Sequence, residues 1–170
     1  MGICFSLIVA GKSTVASGIG NLTLRLAQNQ DLQQFLRDNP DRIKDAVEES
    51  LRIDAPQQEQ PRKATRDIQV GDVIIKEGDQ VFVNYGSANL DPAKWENPTE
   101  FNIDRGPVQH FGFGRGPHQC MGAPMGRMEM RLAMEELLAR TVSFEVVGPI
   151  KRHTWPRLSV ENMPLRMVGR

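Results

Sequence analysis

The sequence predicts a mainly helical protein with small β-sheets, an α+β chain, on three observations. Two long stretches repeat apolar residues at helical spacing, a middle stretch consists of short β-branched runs cut by Gly-Asp turns, and one loop gathers glycines around a cysteine. With 170 residues, 39% hydrophobic and 25% charged, the chain reads as one domain, 1–170, with an ordinary core. Lys+Arg and Asp+Glu both total 21, so no net field favours nucleic acid or an anionic membrane, and neither is expected as a partner. The two cysteines, Cys4 and Cys120, stand far apart in different contexts, which argues against a disulfide framework and for a reducing, cytoplasmic compartment.

The first helix is expected over 3–28. It is apolar nearly all round at its start, then settles into Val15, Ile19, Leu22 and Leu26, so its beginning is expected to be buried. A buried helix at a terminus implies sequence upstream. Two local patterns in it carry no weight. Met1-Gly2 with Cys4 and Ser6 fits an acylation motif that short chance matches reproduce. Gly11-Lys12-Ser13-Thr14 resembles the end of a P-loop, but Ser6 stands where that motif needs glycine. The apolar run 3–10 is too short to span a bilayer.

A short helix follows near Asp31 to Arg37. Asn39-Pro40, read as an N-cap with proline at the first helical position, then opens a helix over 40–54 that Pro56 ends. Glu49 and Arg52 share a face of it. Over 59–84, turns at Val70-Gly71-Asp72 and Lys76-Glu77-Gly78-Asp79 separate two or three short strands. The stretch 86–109, punctuated by Asp91-Pro92, Asn97-Pro98 and Gly106-Pro107, is irregular, and so long an irregular segment is usually functional.

The loop 110–122 reads His-Phe-Gly-Phe-Gly-Arg-Gly-Pro-His-Gln-Cys-Met-Gly. Gly112, Gly114 and Gly116 allow positive φ and close approach, Pro117 stiffens the last bend, and Cys120 stands where the next helix begins. A thiolate there gains from the helix's free N–H groups, one route to a metal-ligating cysteine. The helix over 121–140 carries two ridges, Met121, Met125, Met128, Leu132 and Met130, Met134, Leu137, both expected as core, with Arg127, Glu129, Arg131, Glu135 and Glu136 facing water. Short strands and turns fill 142–170.

These residues resemble the cytochrome P450 haem-thiolate monooxygenases. Phe113-Gly-Arg-Gly-Pro-His-Gln-Cys-Met-Gly122 is similar to that family's haem loop, with Phe113, Gly116, His118, Cys120 and Gly122 on its defining positions. Ala10-Gly11 with Thr14, Glu49-x-x-Arg52, and Phe101-Asn-Ile-Asp-Arg105 follow the family's order, and the details resemble its soluble bacterial members most. The resemblance implies the C-terminal part of the P450 fold, entered part-way along the central oxygen-binding helix, without the upstream helices that roof the haem.

It implies haem b as cofactor and Cys120 as the axial iron ligand. Gly114 and Gly122 would bring backbone N–H groups near the sulfur, and Phe113 would pack on the porphyrin. Arg62 and His118 would pair with the haem propionates, with His110 as a further contact. Glu49, Arg52 and Arg105 would form a buried ionic network behind the haem. Thr14, with Gly11 and Ala10, resembles the oxygen-activation site, where a hydroxyl and water deliver protons. This chain departs from the family there, since Ser13 and Lys12 stand where an acid commonly precedes the threonine. The implied reaction puts one oxygen atom from dioxygen into a small organic substrate, with electrons from a ferredoxin or reductase arriving on the Cys120 side, where Arg115 would lie. Two alternatives stand beside it: a non-catalytic haem-binding fragment, self-associating through exposed apolar surface, and a peroxide-using peroxygenase.

Overall fold

The computed structural model describes residues 2–106 and 109–170. Pro107 and Val108, within the predicted irregular segment, lie outside the described residues, as does Met1.

The first helix, α1 (Gly2–Ala27), holds together through its second half. From Ser17 onward Asn21, Leu22, Leu24 and Leu26 are buried, because α3 (Ile43–Ile53) and α5 (Ala123–Arg140) pack against it there. Its start is not buried as the apolar run suggests. Phe5, Leu7, Ile8 and Val9 are 54–69% exposed, because the packing partners meet α1 only farther along. The exposed apolar surface expected on this helix is therefore present.

Helix α2 (Gln30–Asp38) is opened by Asn29, whose side chain accepts the Leu32 N–H. Asn39 does not cap the next helix. Its side-chain amide and its backbone N–H both donate to the Phe35 carbonyl, closing α2, and a 3₁₀ turn over Pro40–Arg42 leads into α3. The proline thus sits in the first turn as expected, while the asparagine faces backward. Helix α3 buries Ile43, Ala46, Val47 and Leu51 against α5, with Met130, Met134, Leu138 and Phe144 completing the core.

Four strands, not two or three, occupy 59–84. Strand β1 (Glu59–Lys63) pairs antiparallel with β4 (Gln80–Asn84), and between them β2 (Ile68–Val70) and β3 (Val73–Ile75) form their own hairpin. The irregular segment starts with a short helix, α4 (Tyr85–Asn89), capped by the Asn84 side chain. After α5, β5 (Thr141–Val146) pairs with β8 (Leu165–Gly169), and β6 (Lys151–His153) with β7 (Ser159–Asn162).

Only one of the two predicted ridges of α5 is core. Met130 and Met134 are buried with Gly126 and Leu138, whereas Met121, Met125, Met128 and Leu132 are exposed. At about 3.6 residues per turn the two ridges lie about half a turn apart, on opposite faces, so a helix packed on one side buries only one of them. Among the described residues no helix is long and apolar enough to cross a membrane.

Candidate functional site

One cavity of about 580 Å³ lies between α1, the loop 110–122, β1 and α5. The helix α1 contributes Val9, Ala10, Ser13, Thr14 and Val15, and the loop contributes Phe113, Gly114, His118 and Cys120. Arg62 enters from β1, Tyr85 from the start of α4, and Arg157 from the turn before β7. No aspartate or glutamate lines it among the described residues.

The loop is shaped by its own hydrogen bonds. The Cys120 N–H donates to the Phe113 carbonyl at 2.9 Å, and the Cys120 carbonyl accepts the N–H of Ala123, the first residue of α5, at 3.3 Å. The exposed thiol is thereby held at the cavity beside the helix start. Gly114 takes φ +68°, a conformation that glycine adopts without strain. Its own N–H donates to the Phe111 carbonyl at 2.8 Å and closes a turn. Gly112 does not adopt positive φ. Its role is clearance, since a Cβ there would lie 2.5 Å from the Leu51 carbonyl oxygen.

His110 is placed elsewhere than the resemblance implied. Its ring is buried under the loop, away from the cavity lining, with Nδ1 accepting the Gly112 N–H at 2.9 Å and Nε2 3.2 Å from Glu48 Oε2. With Nδ1 as acceptor, Nε2 carries the hydrogen and donates to Glu48. Both nitrogens are therefore engaged, which removes His110 as a contact for a group in the cavity. Arg127 also donates to Glu48 and lies with its guanidinium 4.6 Å from the centre of the Phe113 ring. Burial pushes the Glu48 carboxyl up, but the hydrogen bonds from His110 and Arg127 outweigh it and hold its pKa below the ordinary value.

Behind α3, Glu49 accepts from Arg52 Nε and Nη2 at 2.8 and 2.7 Å, from Arg105 Nε at 2.9 Å and from the Asn102 N–H at 3.1 Å. Arg52 also donates to the Asn89 and Pro98 carbonyls, both at 2.8 Å. The side chains of Glu49 and Arg52 are fully buried, a tolerable arrangement because each charge is matched. Burial works to raise the Glu49 pKa, and the donors from Arg52, Asn102 and Arg105 more than reverse it, leaving it below the ordinary carboxylate range. Asn89 ties this network to the loop, since its side-chain oxygen accepts the Phe111 N–H at 2.6 Å.

On α1, the Thr14 hydroxyl donates to the Ala10 carbonyl at 2.6 Å within an uninterrupted helix, leaving its lone pairs as acceptors beside the cavity. Gly11 and Gly122 are adjacent in the chain to lining residues or near them, but do not line the cavity themselves. Tyr85, Arg157, Glu48 and Arg127 carried no signal in the sequence. Each is a common residue whose place comes from contacts with segments far away in the chain.

A model of the cytochrome P450 family matches residues 1–157. The chain belongs to the cytochrome P450 family. It is 41% identical over 143 residues to a biotin biosynthesis cytochrome P450 of Bacillus subtilis (strain 168), covering 84% of this chain and 36% of the relative. It is 34% identical over 164 residues to cytochrome P450 CYP199A2 of Rhodopseudomonas palustris, covering 96% and 40%. Among solved structures it is similar to CYP108D1 from Novosphingobium aromaticivorans, with TM-score 0.94 and 31% identity over 99% of this chain and 41% of that one. It is also similar to CYP109B1 from Bacillus subtilis, with TM-score 0.93 and 35% identity over 97% and 45%. The chain thus spans about two fifths of the length of its relatives.

P450s are haem-thiolate monooxygenases that bind haem b. The residues present fit that group. The described residues contain no set of three or more His, Cys, Asp or Glu able to hold a metal ion, so a metal bound at Cys120 has to bring its other ligands with it. A flat apolar macrocycle with acidic substituents does so. It suits a cavity walled by Phe113, Val15, Leu51 and Met130, with the Arg62 guanidinium and the His118 imidazole as donors.

Proposed function

We propose that this chain forms the cysteine side and part of the oxygen side of a P450 haem site that hydroxylates or otherwise oxygenates a small organic substrate. The observation that carries this reading is the meeting of Cys120, Arg62 and His118 on one cavity beneath Thr14, from three separate parts of the chain. Haem bound there supplies the iron chemistry by which one atom of dioxygen enters a substrate and the other leaves as water, with two electrons and two protons consumed.

The chain's own residues bind, orient and supply protons. Cys120 would hold the iron through its thiolate, presented by a loop whose backbone is braced by the Phe113 carbonyl and by the start of α5. Phe113 lines the same cavity as the sulfur and is backed by the Arg127 guanidinium, which stacks on its ring. Arg62 and His118 would hold the acidic edge of the cofactor, and Gly122 lies beside the sulfur, from which a Cβ built on it would stand 3.7 Å, an ordinary contact. The Thr14 hydroxyl, anchored by donating to Ala10, accepts a hydrogen bond from water and so holds a proton source at the reaction face. Electrons come from a ferredoxin or reductase docking on the Cys120 side near Arg115, in a cytoplasmic setting.

A second reading, direct use of peroxide, is favoured by a cavity wall with no Asp or Glu among the described residues and by Ser13 at the position before Thr14. Peroxide brings its own protons and electrons and needs no managed delivery.

The test is the absorption spectrum of the purified, haem-loaded chain, reduced and exposed to carbon monoxide. A Soret band at the long-wavelength thiolate position is expected, and Cys120→Ser should abolish it. A spectrum of histidine-ligated or free haem in the unmodified chain would refute the reading. Dioxygen with an electron donor, compared with peroxide alone, then separates the two reactions.

A further inference from the structure

We propose that Arg157 receives the carboxylate of the substrate, so that the compounds taken at this site are organic acids with an apolar body. The proposal rests on the haem-site reading given above.

The charges around the cavity are one-sided. Arg62, Arg157 and His118 line it, and no described Asp or Glu does. Arg62 is partly engaged, donating to the Pro61 carbonyl at 2.8 Å and towards the Tyr85 hydroxyl at 3.4 Å. Arg157 is exposed, and its guanidinium has neither hydrogen bond nor ion pair among the described residues. An unpaired guanidinium bordering an apolar recess is a receptor for a carboxylate, which it can meet with two parallel hydrogen bonds.

The backbone behind it is firmly held. Arg157 bridges Gln57, the Leu158 N–H donates to Pro56 at 2.9 Å, and the Gln58 N–H donates to Pro156 at 3.2 Å. The Asn21 amide, from α1, donates to the Leu158 carbonyl at 3.0 Å. Only the side chain, and not the backbone, remains to be ordered at this position when an anion arrives.

Arg157 is also badly placed to serve the cofactor. Gln57, opposite Arg157, stands five residues before Arg62 in extended chain, roughly 16 Å away at about 3.3 Å per residue. Both propionates leave the same edge of a haem, so an edge held by Arg62 and His118 leaves Arg157 to a different anion. Through Asn21, Arg157 belongs to the α1 side of the cavity, where Val9, Ala10 and Val15 offer an apolar wall for the rest of the molecule.

The experiment titrates decanoate and decan-1-ol at neutral pH into the haem-loaded chain, as wild type, Arg157→Gln and Arg157→Lys. Binding is read from the displacement of the Soret band and, independently, by calorimetry. Decanoate is expected to bind wild type about tenfold more tightly than decan-1-ol, a difference of about 1.4 kcal/mol. Arg157→Gln should erase that preference, Arg157→Lys should keep much of it, and decan-1-ol should bind all three alike. Equal binding of acid and alcohol to wild type, no binding of decanoate, or an undiminished preference in Arg157→Gln overturns the proposal. So does loss of haem from Arg157→Gln, which would assign the residue to the cofactor. Failure of the haem reading is recognised separately, by a carbon monoxide spectrum of wild type lacking the thiolate band before any acid is added.

Discussion

Around Glu49, every charge removed from water meets a partner: two guanidinium groups and a backbone N–H converge on one carboxylate, and Arg52 spends its remaining donors on carbonyls. At the start of α1 the reverse holds, with Phe5, Leu7, Ile8 and Val9 at least half exposed and packed on nothing that confers stability. The first region gains its stability from matching, which is costly to disturb. The second contributes almost nothing to the fold and is available to self-association. Of the two, only the start of α1 reaches the cavity, through Val9.

Removing Glu49 should produce the largest effect. Glu49→Ala leaves Arg52 and Arg105 without their shared carboxylate, a loss of about 3–5 kcal/mol, comparable to the whole stability of a marginal domain. Little soluble protein, or a urea midpoint far below wild type, is expected. A soluble variant with an unchanged midpoint would show that the network does not hold the fold.

Acid should reproduce part of that loss. Glu48 and Glu49 both have folded pKa values depressed below the ordinary 4.5, so the unfolded chain takes up protons first as pH falls. Their contribution is fully present above pH 4.5 and disappears as pH drops through the lower folded values. Urea midpoints at successive pH values should therefore be level with respect to these two groups near neutrality and decline below that point. Glu48→Gln, which cannot titrate, should flatten the decline; an equal slope in the variant would remove Glu48 from the account.

The smallest effect is expected at Ile8, which is 68% exposed. Ile8→Ser should change stability by no more than about 0.5 kcal/mol, while light scattering at high concentration should report less association. Marked destabilisation would mean that the two regions do not differ as described.

The helices were legible from spacing alone, because a 3.6-residue period leaves a repeated signature in any chain that buries one face. The strands of 59–84 were legible as a region but undercounted. Pairs as short as Ile68–Val70 with Val73–Ile75 are too brief to show alternation. Of two opposed methionine ridges on α5, the pattern could not say which one meets α1 and α3, since both faces are apolar. Asn39 shows the same limit at the scale of one hydrogen bond: an amide can close the helix before it as readily as open the one after.

The site divides in the same way. Cys120 in its glycine loop, and the pair Glu49 and Arg52 one turn apart, are local patterns that any reader of the chain can find. That Arg62, Tyr85 and Arg157 border the same cavity, and that His110 turns from it to Glu48, depends on segments brought together across most of the chain. By itself the sequence determined the family, the helical plan and the glycine loop that carries Cys120, because these rest on short-range spacing and on residue types few structures share. Only the tertiary structure decided which polar groups are already paired and which stay free for a ligand, because that depends on every neighbour a side chain meets, however distant in the chain.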